Sequence, residues 1–202
     1  MSLLLPIFPL DLVMLPGMLL PLHIFEPRFK EMVAECMENK RPFGIVRARP
    51  EEIASIGCTA DILSLVKTYD DGQLDILTRG QQIFELLEMN EERAFLRAEV
   101  LYLHDDASRA TREQCVRACD LHSQILTLAT GEAATPAPDS PQLSFQLASS
   151  LPLDPELKQA LLAMRSEIDR LGALTAYLEN ILPGLRHTIR ARQKAGGNGH
   201  AH

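Results

Sequence analysis

The chain has 202 residues, 46% hydrophobic and 23% charged, a balance that supports one sizeable core or two small ones in a soluble chain. Its formal charge of -7 and pI near 5.4 argue against a general nucleic-acid binder, because affinity for phosphate backbones comes mainly from Lys and Arg displacing counterions. Four cysteines without a CxxC spacing suit a reduced, cytoplasmic setting.

Residues 1–25 are strongly apolar, but they lack a basic leader and carry Pro6, Pro9, Pro16, Pro21 and Asp11, so they are expected to be neither signal peptide nor membrane span. Residues 3–10 and 12–14 read as a proline-broken extended start, Pro16-Gly17 as a turn and residues 18–22 as extended again. Prolines at this density suit edge strands and bulges. A helix is predicted from Pro27 to Asn39 or Lys40. There Phe29, Met32, Val33, Cys36 and Met37 form one buried stripe, Pro27 fits the first helical position, and Pro42 follows.

Short strands are predicted at 43–47, 58–68, 74–78, 83–88 and 94–103. In the second, Ile62 and Val66 alternate with Ser64 and Thr68. Asp71-Gly72 predicts a type I′ hairpin turn, in which both central residues take positive φ. Six or so short strands with one helix inserted early suggest a small closed or nearly closed barrel, an arrangement that removes exposed edges.

After His104 the pattern becomes helical. Ser108 or Thr111 caps a helix running to Thr130, and the Pro/Ala-rich stretch 131–141 reads as a mobile loop, too poor in large apolar residues to pack. Ser140-Pro141 and Asp154-Pro155 each place a capping residue before a proline at a helix start. Leu157, Leu161, Met164, Ile168, Leu171, Leu174, Leu178, Ile181 and Leu182 share one broad face, and Ser166 restarts the helix as a capping box. The expected division is a barrel over 1–105, a helical bundle over 106–185 and a flexible basic tail over 186–202. Residues 184–202 sum to +4 against -11 for the rest.

Few residues suggest chemistry. Cys115, Cys119 and His122 share a helix face, but seven residues rise ~10.5 Å along the axis, whereas two ligands of one zinc lie only ~4 Å apart. Core packing is the reading preferred. His23, Glu26 and Arg28 lie within six residues of one another, and His23 with Glu26 supplies two metal ligands without an identifiable third. Glu26 stands where a carboxylate can lock the strand-to-helix junction, with His23 or Arg28 as partner. Arg79 precedes Gly80 at a strand end and offers a guanidinium to an anion, while Gly80 marks a bulge. GxSxG, HExxH and Walker A patterns are absent, so no catalytic residue, metal or cofactor is expected.

The segments LPIFPLDLVMLPGMLLPLHIFEPRFKEMV, RPFGIV, IGCTADILSLVKTYDDGQLDILTRGQQIFELLE and LPLDPELKQALLAMRSEIDRLGALTAYL together resemble the N-terminal substrate-binding domain of Lon proteases, in its stand-alone bacterial form. The resemblance spans nearly the whole chain, and the P-L-H-I-F-E-P-R block is its most specific part. The chain departs from the family at 58–61 and at Gln81-Gln82, where a more basic character is usual.

The resemblance implies an α+β fold, a PUA-like β-barrel followed by a C-terminal helical bundle, and recognition of unfolded or extended polypeptide. The binding candidates are His23, Glu26, Arg28 and Arg79. The ATPase and Ser-Lys protease modules of Lon do not fit in 202 residues, so the chain is expected to be a non-enzymatic module, with a separate ATP-dependent protease as a further partner. Two rival readings are a small-ligand protein or enzyme with its pocket at His23, Glu26 and Arg28, and an RNA-binding PUA-like domain, which the acidic balance opposes.

Overall fold

The computed structural model describes residues 4–131 and 133–197, with side chains through residue 191. In chain order the elements are β1 (Leu5–Leu10), β2 (Leu19–Ile24), α1 (Pro27–Glu38), β3 (Phe43–Arg49), β4 (Glu52–Ile53), β5 (Ile56–Thr68), β6 (Leu74–Asn90), β7 (Arg97–Leu103), α2 (Arg112–Thr130), α3 (Leu143–Ser149), α4 (Pro155–Ala163) and α5 (Glu167–Gly197). They form a mixed sheet of seven strands and five helices, divided into two compact units. The first runs to Asp105 and regains Leu153–Arg165, and the second holds Asp106–Pro152 and the residues from Ser166 onward. The expected single cut near residue 105 is therefore re-entrant. α4 belongs with the sheet because Glu156 is gripped by Arg49 and by Arg47 at 3.1 Å, both on β3, and the Gln159 amide donates to the Ile56 carbonyl at 3.0 Å.

In the first unit one strand does the work of several. The two segments expected at 74–78 and 83–88 are parts of the single strand β6, and β5 extends back to Ile56. From Leu74 to Arg79, β6 is flanked by β2 on one side and β5 on the other, making a three-stranded arm; from Ile83 to Asn90 it pairs with β7. β1 pairs antiparallel with β7 and parallel with β3, Ile7 opposite Gly44, so the pairings β1-β7-β6-β5-β3 return to β1. Leu5, Ile7, Val46, Phe84 and Ala98 of these strands form one buried apolar cluster. The Phe8 ring packs at a tilt against Phe29 of α1 and Phe43 of β3, with centroids 4.1 Å and 6.0 Å away, which seats the helix.

Gly80 stands where β6 changes partners. A Cβ there would lie 2.2 Å from the Leu15 carbonyl oxygen, and the Gly80 amide donates to Met18 O at 3.0 Å while its carbonyl accepts from Gly17 at 2.8 Å. The register between β5 and β6 slips at this point, so the bulge expected at Gly80 is present.

Several local expectations change. The β5–β6 turn is not type I′: only Gly72 has positive φ, +76°, and its amide bonds Tyr69 O at 2.9 Å, so a type I turn is followed by a left-handed glycine. α1 starts at Pro27 and buries Phe29, Met32, Val33 and Cys36 as predicted, but Met37 is exposed. Residues 12–14 form no strand, and β4 was not anticipated. Thr111, not Ser108, caps α2, with Gln114 completing a capping box. α3 starts at Leu143 without help from Ser140. Its leading amide, that of Ser144, is bonded by the Glu167 carboxylate at 2.8 Å. The 131–141 stretch is anchored to α2, since Thr135 bonds His122 and Pro136 O accepts from the Cys119 thiol. α5 passes through Pro183 to Gly197, so the basic segment 186–197 is helical, and residues 198–202 of the expected tail lie outside the described residues.

Replacing Gly80 by alanine forces the Leu15 backbone away from β6. The Gly80→Ala variant is expected to lose about 3 kcal/mol of stability by urea denaturation.

Candidate functional site

The sequence-proposed trio does not converge. His23, on β2, turns both ring nitrogens to the far side of the arm: Nδ1 lies 2.6 Å from Asp75 Oδ1 and Nε2 lies 2.7 Å from Gln73 Oε1. Glu26 accepts instead from Arg28 Nε at 2.8 Å, and both are exposed. Glu26 makes no side-chain bond to the amides at the start of α1, so it is not the cap that its position suggested. Arg79 is exposed on β6 between Leu19 of β2 and Asp61 of β5, and its side chain makes no hydrogen bond or ion pair among the described residues.

Residues that sequence reasoning passed over complete the cluster around His23. Tyr69 donates to Asp75 Oδ2 at 2.7 Å and meets His23 edge-on at 5.6 Å, and Lys67 sits 4.2 Å over the Tyr69 ring. The bond to Asp75, then that to Gln73, raises the His23 pKa above its ordinary 6.5, and the same contact lowers Asp75. The hairpin turn 69–73 brackets these residues in the sequence, and that bracket was the available signal.

In the helical unit, His122 has the opposite surroundings. It is fully buried; Ser150 Oγ, itself donating to Leu147 O, lies 2.6 Å from Nε2, and Thr135 Oγ1 lies 3.0 Å from Nδ1. Ser150 therefore accepts from Nε2–H, and the ring sits neutral. Burial lowers its pKa. Cys119 and His122 thus serve core packing and loop anchoring, while Cys115 is only half-buried. Burial also pushes the thiols of Cys36 and Cys58 up to about 11 and about 12, which leaves neither nucleophilic at neutral pH.

The first unit carries a groove of about 480 Å³ between the end of α1 and the outer part of β5, lined by Met37, Lys40, Arg41, Asp61, Leu63 and Leu65 among others. β3 pairs with β5 only at residues 58–60, so from Asp61 to Thr68 that edge of β5 has no strand beside it among the described residues. The β5–β6 register slips twice here, each time with one extra residue in β5, Leu63 and then Val66. A bulge bends the strand and re-aims its side chains. All of β5 from Leu63 to Thr68 is exposed, Val66 at 65%, so the alternation of Ile62 and Val66 with Ser64 and Thr68 marks no buried face there, and Met37 of α1 is exposed as well. The helix end beside the groove is closed by Lys40 in the left-handed region, φ +50°, a position that usually falls to glycine. Arg41 is held by Glu35, which also binds Arg93.

The family model described as the ATP-dependent protease La (LON) substrate-binding domain matches residues 4–180. The chain belongs to this Lon substrate-binding domain family. A Lon N-terminal domain protein from Xanthomonas campestris has the same fold, with a TM-score of 0.71 and 25% identity over 87% of this chain and 98% of that one. The N-terminal domain of Lon protease from the Mycobacterium avium complex shares the fold at a TM-score of 0.63 and 18% identity, again over 87% of this chain and 98% of that one. Among curated relatives, Lon protease 1 of Hydrogenovibrio crunogenus is 32% identical over 48% of this chain and 13% of its own length. Lon protease of Paraburkholderia phytofirmans is 25% identical over 91% of this chain and 24% of its length. The Lon-type chain therefore spans about a quarter or less of these curated relatives. Among its described residues no helix is long and apolar enough to cross a membrane.

Two measurements check these assignments. Glu26→Ala should cost no more than about 0.5 kcal/mol, the scale of an exposed ion pair rather than a helix cap. His122, whose folded pKa lies below 6.5, contributes stability that is complete above pH 6.5 and is lost as pH falls through the folded value. The melting temperature of His122→Gln should accordingly fall less steeply than that of the wild type on acidification from pH 6.5.

Proposed function

We propose that this Lon-type domain binds extended, unfolded polypeptide without catalysing a reaction on it, and that the groove between α1 and β5 takes the polypeptide's apolar side chains. The carrying observation is a groove lined by exposed Met37 of α1 and by exposed Leu63 and Leu65 of an unpaired, bulged edge, with Val66 exposed further along that edge. Membership of a family described as substrate-binding supports it. The cyclic strand pairing favours a small PUA-like barrel as the platform.

The bulges decide between two binding modes. Continuous strand addition needs a regular ladder along the edge, and two extra residues within six interrupt it. Recognition therefore falls mainly to side chains. Covering four half-exposed apolar residues contributes roughly 1 kcal/mol each, and ordering a flexible segment opposes it. The result is weak, releasable capture, suited to passing a segment to a separate ATP-dependent protease in a cytoplasm where the four unpaired cysteines stay reduced. The rival pocket at His23, Glu26 and Arg28 draws no support, since Glu26 and Arg28 pair with each other while His23 engages Asp75 and Gln73.

Leu63→Asp places a charge in the groove at a site 42% exposed in the free protein. Affinity for a reduced, alkylated unfolded protein, followed by fluorescence anisotropy, is expected to drop about tenfold, with the melting temperature almost unchanged. Undiminished binding by the folded variant would remove the groove from the account.

A further inference from the structure

The bonds around His23 are satisfied in only one protonation state. The Gln73 amide nitrogen donates to Asp71 Oδ2 at 2.7 Å. A carboxylate only accepts, so this contact fixes the amide and leaves Gln73 Oε1, an acceptor, 2.7 Å from His23 Nε2. On the other side Nδ1 faces Asp75 Oδ1 at 2.6 Å, and the second oxygen of Asp75 already accepts from Tyr69. Both partners of the ring are acceptors, so both ring nitrogens must donate, and only the imidazolium does that. In the neutral ring one nitrogen carries a lone pair that would confront an oxygen at hydrogen-bond distance; that link must open, or Gln73 must turn and leave Asp71.

The location gives this chemistry a mechanical consequence. His23 lies opposite Asp75, which in turn lies opposite Lys67, so the ring ties β2 to β6 at the end of the arm where β5 turns into β6. The Asp71 side chain, held by the Gln73 amide, also accepts from the Gln73 backbone N–H at 3.1 Å. Opening the His23 link therefore loosens the turn and the outer end of β5, the strand that carries Leu63, Leu65 and Val66. The side chain of His23 is 47% exposed and so responds to bulk pH.

We propose that His23 is a proton-operated latch that holds the β5–β6 turn against β2 and so sets the order of the strand lining the groove. Its control of binding rests on the polypeptide-binding reading above; the latch itself does not. The charged and titratable groups around it are Asp75 of β6, Asp71 of the turn, Tyr69 and Lys67 at the end of β5, and Lys30 of α1, whose ammonium lies 3.3 Å from the Asp71 carbonyl. The Glu26–Arg28 pair closes on itself. Asp75 and Asp71 favour the protonated ring, which raises the His23 pKa. A raised folded pKa keeps the latch closed below pH 6.5 and opens it as pH rises through the elevated value.

The test uses the full chain with nitrogen-15-labelled histidine, the His23 signals being assigned by their loss in His23→Gln. Both ring nitrogens should be protonated at pH 6, the titration midpoint should lie above 6.5, and Asp75→Asn should move it back towards 6.5. Amide protection factors of Gly72 and Gln73 should fall at least threefold through that midpoint in the wild type and stay level in His23→Gln. A midpoint at or below 6.5, or turn protection indifferent to the titration, would overturn the latch. In parallel, affinity for the reduced, alkylated unfolded protein should change at least threefold across the same midpoint. A latch that titrates beside pH-independent binding overturns its regulatory role. A latch that titrates with no binding at any pH sinks the groove reading and leaves the latch standing.

Discussion

The approach of the Leu15 carbonyl to Gly80 is the contact on which the first unit depends. β6 must serve β2 and β5 along its first part and β7 along its last, and it changes partners where any side chain at position 80 would meet backbone. Backbone cannot move aside as a side chain can. Gly80 therefore fixes the path of the segment carrying Leu15, a fully buried residue, and with it the entry into β2. Through β2 the same contact reaches His23 and the start of α1.

The arm that results has two edges, and each is defended differently. β2 carries Pro21, which has no N–H to offer an incoming strand. β5 carries two bulges, which break the ladder that indiscriminate edge pairing requires. Leu63 and Val66, the extra residues of those bulges, are exposed, as is Met37 of α1. The unpaired edge thus combines apolar side chains with a ladder too irregular for growth of the sheet.

His23 and His122 show how donors and acceptors, rather than residue type, set behaviour. Ser150 and Thr135 are hydroxyl groups able to give or take a proton, so a neutral, buried His122 is fully bonded. Asp75 and a carbonyl locked by Asp71 can only accept, so an exposed His23 is fully bonded only when charged. The two rings thus respond to pH in opposite senses, one in each unit.

Features governed by neighbours a few residues away were legible in the sequence. Pro27 and the spacing of Phe29, Met32, Val33 and Cys36 specify α1, Thr111 with Gln114 specifies the start of α2, and Asp154 the start of α4, because caps and helical stripes act within one or two turns. The family was legible too, carried by the block around His23 and Glu26. The partners of those residues were not. His23 and Asp75 are 52 positions apart, and Arg49 and Glu156 are 107 apart; no local period records such pairings. The leucine face from Leu157 to Leu182 reads as one continuous helical region, yet α4 packs with the sheet while α5 builds the helical unit. Sequence by itself determined where α1, α2 and α4 begin and that strands give way to helices after His104, since those choices are settled by local caps and side-chain periodicity. Only the tertiary structure decided that Met37 and Val66 face solvent, that α4 returns to the sheet and that His23 needs its second proton, because each depends on which distant backbone or carboxylate lies alongside.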